Sequence, residues 1–366
     1  MAGRAFEVAI VGAGNVGLAL ARMLDRTGDY AVRVSDCTEE ACGRALSQGF
    51  RAVRLDASNA TRLSGFIAGA DAVVAAVPDR LVGRVAESVA AAGRHYLDFS
   101  IADAAMAALA AGARDAAFLP GCGVSPGLVD SVVAHFLDTS EGGIDVAVAV
   151  GAIPARRTNR LGYSLIWNLD GLFSEYTSPC EAIEDSRLVA VPALSNRIDL
   201  DVGGQPYEAF CTAGVMGAMK GFAGGRLRSL ICRTIRYPGH LDYLQLLLDD
   251  LGLRHRKDLL NTVLRNGLTD SQQDVVLLHA AMNPGRPDAR ALEMRIEAQA
   301  DEGSSLAAGS AAHAAFLLDE LASGAGTSDG APDGAQGMSR APDAFGRFLK
   351  SRFATPLVTV REIAVD

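Results

Sequence analysis

Apolar and polar positions follow two different rhythms along the chain. From Phe6 to Val11 (FEVAIV) the residues are apolar and rich in β-branched types, and the run stops at a cluster of glycines. It reads as a buried strand. Residues 16–24 then repeat apolar side chains at helical spacing. The order recurs, with strands over 31–34, 51–55, 71–77, 95–99 and 118–120 and helices over 39–48, 61–67, 81–92 and 104–113. Strands alternating with helices predict a parallel sheet covered on both faces. Right-handed crossovers make it a doubly wound α/β sheet of Rossmann type.

Past residue 125 the rhythm changes. Residues 144–151 alternate as a strand does, and strand-like runs follow over 161–167, 187–192, 207–212, 229–236 and 292–298. Without regular helices between them, these predict a second, α+β region built on a mixed or antiparallel sheet. Helices are expected over 241–251 and 257–264, and a long Ala/Leu helix over 305–321. The stretch 322–342 is rich in Gly, Ser, Ala, Asp and Pro and has almost no apolar anchors, so it is expected to be a flexible loop. A short helix and a strand resume in the tail.

Composition narrows the function classes. A chain of 366 residues with 49% hydrophobic and 21% charged positions has the material for two or three packed domains. A net charge of −9 argues against a general nucleic-acid binder. No window approaches the ~20 apolar residues that span a bilayer, and the first residues lack a signal-peptide core. The 6 cysteines form no CxxC and no zinc-finger spacing. They read as reduced thiols of a cytoplasmic protein, with no metal site.

The most specific motif is Gly12-Ala-Gly14-Asn15-Val16-Gly17, which leaves a strand and opens a helix. Gly12 permits the tight turn, Gly14 admits a pyrophosphate, and Gly17 lets helix and strand pack closely. Free N–H groups at the helix start face the anion. Asp36 closes the second strand, where a carboxylate accepts from ribose hydroxyls and repels a 2′-phosphate. The predicted cofactor is therefore NAD rather than NADP. Asp56, at the end of the third strand, either approaches the adenine or stands in solvent. Val77 and Pro78, after the fourth strand, either border the cofactor or form a plain strand-to-loop turn.

This fingerprint is followed by Asp98-Phe-Ser100, Gly121-Cys-Gly-Val-Ser-Pro-Gly127 and Arg236-Tyr-Pro-Gly-His240. The set resembles the saccharopine dehydrogenase-like family, with its closest likeness to the lysine 6-dehydrogenases within it. Gly151-Ala-Ile-Pro154, Glu175-Tyr-Thr-Ser-Pro179 and Val191-Pro-Ala-Leu-Ser195 continue the likeness to about residue 320. The resemblance implies a dinucleotide-binding domain over 1–124, a substrate-binding and dimerisation domain over 125–302, and a return helix and tail over 303–366 on the first domain. It also implies a homodimer or larger homo-oligomer. The chemistry it implies is hydride transfer between a nicotinamide and a carbon bearing an amine. Two departures stand out. Ser164 follows Tyr163 where members often carry Lys, and Ala213-Gly-Val-Met216 replaces a run containing an acid and an Arg. That Arg would suit an α-carboxylate. Arg156, Arg157 and Arg160 either supply the charge from another loop or form a solvated cluster.

Candidate site residues lie at the carboxyl ends of strands, where open α/β sheets bind ligands. Asp98 either holds the substrate amine and moves a proton or caps its strand. Cys122 either faces the nicotinamide or is a small buried thiol. Ser100 joins the cofactor contacts, and Ser125-Pro126-Gly127 is expected to turn between domains, with Ser125 beside the substrate. His240 is the candidate base: an ammonium must lose a proton before its carbon loses hydride, and imidazole titrates in the useful range. Its place at a helix start would lower its pKa; the other reading is a capping or orienting histidine. Arg236, Tyr163, Trp167 and Tyr176 are candidate walls of the substrate site.

The leading expectation is NAD-dependent oxidation of a small amino acid or diamine to an imine. Its enzymatic rival is reductive condensation of an amine with a carbonyl compound, as in saccharopine or carboxynorspermidine formation. A third reading is an NAD-binding regulatory protein without turnover.

Overall fold

The computed structural model describes residues 4–113, 116–166, 169–222, 225–269, 273–299, 302–324 and 343–363. The chain divides into two compact units, Met1–His135 with Ala307–Pro356, and Phe136–Leu306 with Leu357–Asp366. Trp167 and most of the expected loop, residues 325–342, lie outside the described residues; residue 322 ends a helix and 323–324 form its turn.

In the first unit, β1 (Phe6–Val11), β2 (Tyr30–Asp36), β3 (Arg51–Arg54), β4 (Ala72–Ala75), β5 (His95–Asp98) and β6 (Phe118–Leu119) form a parallel sheet in the order β3-β2-β1-β4-β5-β6. Helices α1 (Asn15–Asp25), α2 (Glu39–Ser47), α3 (Ala60–Ile67), α4 (Asp79–Ala91) and α5 (Ala104–Gly112) connect them. This is the doubly wound sheet that the alternating pattern predicts. Central β4 and residues 8–11 of β1 are apolar without alternation because both faces are covered, whereas edge strand β3 carries exposed Arg51 and Arg54. Leu63, Phe66, Val85 and Val89 pack on Ala9, Val11 and Val73.

α6 (Leu128–Asp138) follows, and the boundary between units falls inside it rather than after residue 124. The turn Ser125-Pro126-Gly127 therefore lies within the first unit; its Ser125–Pro126 peptide is cis. The long helix Ser305–Ala322 is buried almost all round, and its Ala308, Ala311, Ala312 and Ala315 have no exposed surface.

The second unit is built on β7 (Ile144–Pro154), β8 (Cys180–Glu184), β9 (Arg187–Val191), β10 (Ile198–Val202), β11 (Gln205–Phe210), β12 (Leu227–Arg236), β13 (Asp274–Met282), β14 (Arg290–Ile296) and β15 (Val358–Ile363). Seven of these run in the order β10-β11-β12-β7-β13-β14-β15, and β8 joins β9 to β12. β12 and β7 are parallel and the other pairs antiparallel, so the sheet is mixed as expected. α7 (Leu169–Thr177), α8 (His240–Gln245) and α9 (Lys257–Gly267) share a core with Tyr163, Phe210 and Leu253.

Three expectations need correction. Over its described part, residues 161–166, the run expected as a strand over 161–167 is irregular, because Gly162 adopts φ +64 and a Cβ there would meet the Tyr237 side chain at 2.8 Å. β13 went unrecognised although it lies between β7 and β14: Asp274–Met282 is buried on both faces and lacks a period of two. The tail also divides. Ala344–Lys350 forms a helix of the first unit, but β15 pairs with β14 in the second.

Candidate functional site

The strand order of the first unit reverses between β1 and β4, and the fingerprint glycines leave β1 there. Gly12 sits at φ +111, and a Cβ on it would fall 2.1 Å from the carbonyl oxygen of Ala76, just past β4. A Cβ on Gly17 would fall 2.0 Å from the Gly12 oxygen. Gly14 is different: it is exposed and no described residue lies within 4 Å of the place its Cβ would take. Two glycines are thus required by the protein's own packing, while the third opens space at the helix start. Asn15 is exposed and Val16 half-buried beside it.

Side chains cap α2, α3 and α5, through Thr38, Asn59 and Asp103. α1 begins at Gly14 and α4 at Pro78 without a side-chain cap. The two helices flanking the reversal therefore keep first-turn N–H groups available to an anion. Val77 is half-buried against the core and Pro78 exposed. These residues fit a dinucleotide pyrophosphate, with Gly14 and the start of α1 as its cradle.

Asp36 turns toward this loop. Its Oδ2 accepts from the Ala13 N–H at 2.9 Å, and its Oδ1 from the Thr38 N–H and hydroxyl, both at 2.9 Å. Partial burial pushes its pKa up, but the N–H groups of Thr38 and Ala13 outweigh that and hold the carboxyl below its usual range. A carboxylate has about four acceptor positions, so the fixed, ionised group retains capacity for a ribose hydroxyl. Asp56 is exposed and accepts from Ser58 N–H at 2.8 Å, which lowers its pKa.

At the end of β5, Asp98 has no exposed surface. Its Oδ1 accepts from the N–H groups of Ser100 and Gly121, each at 3.0 Å, and its Oδ2 from the Tyr96 hydroxyl at 2.8 Å. Burial raises its pKa, partly opposed by those N–H donors. Asp98 here is a strut between β5 and the Gly121 turn, so the capping reading fits its surroundings and the substrate reading does not. Cys122 is likewise enclosed: its thiol donates to the Leu119 carbonyl at 2.9 Å, and burial pushes its pKa well up. That favours a packed thiol over a nucleophile.

The second unit holds a buried polar cluster. Arg236 donates from Nε to the Tyr176 hydroxyl at 2.8 Å, from Nη1 to the Ile235 carbonyl at 2.9 Å, and from Nη2 to Glu175 Oε1 at 3.0 Å. Its guanidinium lies 5.3 Å from the Tyr163 ring centroid. His240 Nδ1 lies 2.7 Å from the Leu161 carbonyl and Nε2 lies 3.1 Å from the Tyr176 hydroxyl. A carbonyl only accepts, so Nδ1 carries the proton and Nε2 accepts from Tyr176. Burial, followed by the charge of Arg236, lowers the His240 pKa to about 3. The helix dipole is not needed to explain it. Both ring nitrogens are engaged, so the ring is a neutral linker in this structure rather than an open base.

Glu208 has no exposed surface, and its carboxylate accepts from Gly239 N–H at 3.1 Å and Leu241 N–H at 2.7 Å. It clamps the turn that carries His240, with Arg197 Nε at 3.1 Å as its counter-charge. Sequence reasoning missed this residue; the signal was one acid inside the buried run Tyr207-Glu208-Ala209-Phe210. It also missed Glu175 Oε1 as the shared acceptor of Arg236, Thr212 at 3.3 Å and Thr234 at 3.1 Å. Glu175 keeps 12% of its side chain exposed, against 3% for Arg236. Val215 and Met216 are buried and apolar, and the exposed Arg157 braces its own loop through the Asn159 and Arg160 carbonyls.

Among the described residues no group of three or more His, Cys, Asp or Glu side chains is placed to hold a metal. No helix among them is long and apolar enough to cross a membrane.

Comparison with known proteins agrees with this fold. Residues 8–118 match the saccharopine dehydrogenase NADP binding domain and residues 123–341 the saccharopine dehydrogenase C-terminal domain. The structure is similar to apo saccharopine dehydrogenase (L-Glu forming) from Saccharomyces cerevisiae, with a TM-score of 0.80 at 15% identity over 98% of this chain and 100% of that one. GenD2 from gentamicin A biosynthesis, in complex with NAD, aligns over 99% of this chain and 97% of its own at 15% identity, with a TM-score of 0.46. With both domain models matched in order across most of its length, the chain belongs to the saccharopine dehydrogenase family, a family of NAD(P)-binding oxidoreductases.

Proposed function

We propose that the protein is an NAD-preferring dehydrogenase that oxidises an amine-bearing carbon of a small amino acid or diamine to an imine. The observation that carries the cofactor half is Asp36, fixed and ionised 2.9 Å from Ala13 N–H beside the open Gly14 cradle. Family membership supports the amine half.

When bound, the dinucleotide supplies the hydride acceptor. Gly14 and the first turn of α1 hold its pyrophosphate, and Asp36 a ribose. Asp98 and Cys122 hold the Gly121 turn in shape, whereas Glu208 and His240 hold the second-unit cluster. Glu175 keeps more of its side chain exposed than Arg236 does, and among the described residues Oε1 takes its three side-chain donors. We assign its other oxygen to the substrate's ammonium group. The ammonium first yields a proton to solvent; the C–H bond then breaks as hydride leaves and the nitrogen lone pair forms the second C–N bond, so turnover rises with pH as free amine becomes available. Hydrolysis of the imine then releases ammonia and a carbonyl compound.

The test is NADH formation at alkaline pH with a panel of amino acids and diamines, lysine and ornithine included. A single productive amine supports the proposal. Silence across the panel, with NADH consumed only when an amine and a keto acid or aldehyde are supplied together, replaces it with reductive condensation.

A further inference from the structure

Asp36 does not stand alone at the ribose end of the dinucleotide site. Its register partner across the β2–β3 ladder is Arg54, which places the two Cα atoms about 4.8 Å apart. Arg54 donates from Nε to the carbonyl oxygen of Cys37 at 3.3 Å, so its guanidinium lies across the chain just after Asp36. Its only other partner among the described residues is Glu39, 4.0 Å from Nη1, with side-chain exposures of 68% and 92% for the pair. An ion pair that long and that exposed holds the guanidinium weakly. A second cation stands close by, because Arg62 Nη2 donates to the Arg54 carbonyl at 2.7 Å. Asp36, by contrast, is committed inward to Ala13 and Thr38.

A ribose bearing free hydroxyls needs Asp36 and makes no demand on Arg54. A 2′-phosphate would bring about two negative charges against Asp36 and would meet the weakly held Nη donors of a guanidinium on the neighbouring strand. Resting on the dinucleotide reading above, we propose that Arg54 is a specificity-determining residue, an anion contact for a 2′-phosphate. Discrimination between the two dinucleotides is then set by the opposition of Asp36 and Arg54, not by Asp36 alone.

Fluorescence titration with NADH and NADPH tests this without any knowledge of the substrate. Arg54→Ala should weaken NADPH binding fivefold or more and leave NADH within twofold. Asp36→Ser should strengthen NADPH binding at least tenfold, and adding Arg54→Ala should remove most of that gain. Equal shifts for both ligands, or no shift for either, overturn the role of Arg54, as does a double variant that keeps the gain. A folded wild type that binds neither dinucleotide defeats this inference together with the reading beneath it. Tighter NADPH than NADH binding in the wild type, lost in Arg54→Ala, removes the NAD preference and leaves the role of Arg54 standing.

Discussion

His313 donates its Nδ1 proton to the carbonyl oxygen of Cys122 at 3.0 Å, tying the long alanine-rich helix to the Gly121 turn. The turn is thus held from two sides, by His313 at Cys122 and by Asp98 at Gly121. The second ring nitrogen of His313 is buried without a hydrogen-bond partner among the described residues, and the ring packs against Phe316 and Phe348. His313→Leu leaves the Cys122 carbonyl without this donor. It should cost about 1–3 kcal/mol, measured by urea unfolding, and His313→Asn should recover part of the loss.

The two buried histidines make stability depend on pH in one direction. An unfolded histidine titrates near 6.5, whereas burial lowers His240 to about 3 and His313 to about 4. The unfolded chain therefore binds more protons between these values. The contribution of each neutral ring is complete above about pH 6.5 and is lost as pH falls toward the folded pKa, at up to ~1.4 kcal/mol per pH unit for each ring. His240→Gln should make the stability curve between pH 4 and 6 shallower by about one proton. An unchanged slope would show that His240 is not neutral and enclosed.

The glycines separate folding from binding. Gly17→Ala drives a Cβ to 2.0 Å from the Gly12 carbonyl oxygen, so backbone must move. Gly14→Ala meets no atom of the described residues within 4 Å. Gly14→Ala should melt within a few degrees of the wild type yet bind NADH at least tenfold more weakly. Gly17→Ala should lose both stability and binding. Differential scanning fluorimetry and NADH titration read the two effects, and wild-type affinity in Gly14→Ala would remove the pyrophosphate from that cradle.

Arg236 and Glu175 form an ion pair with little exposure on either side. Removing one partner leaves the other charge poorly compensated, which typically costs about 3–5 kcal/mol. Arg236→Met should reach that range in denaturant unfolding, and Arg236→Met with Glu175→Gln should cost less than the sum of the two single changes.

The parallel sheet was readable because short strands with apolar centres, β4 the purest of them, alternate with helices of regular apolar spacing. The fingerprint was readable because each glycine answers a separate steric demand. β13 was not, since burial on both faces erases alternation. α6 was not legible because its apolar run follows directly on the glycine-rich turn over 121–127, which has the composition of a domain boundary. In the site, residue types were legible and their states were not. His240 has the residue type of a base, but only tertiary packing places Tyr176 and Leu161 on its two nitrogens. Asp98 has the residue type of a proton carrier, and only the fold turns it against Gly121. Glu208 shows locally only as one acid in an apolar run, and its role and that of Glu175 come from partners far along the chain.

The central claim is that hydride leaves a carbon bearing an amine. Its most direct test is a substrate from the amine panel carrying deuterium at that carbon, incubated with NAD+ and the enzyme. Mass spectrometry of the reduced dinucleotide should find one deuterium per molecule, with ammonia released in equal amount. Reduced dinucleotide without deuterium, or deuterium transfer without ammonia release, would contradict the account.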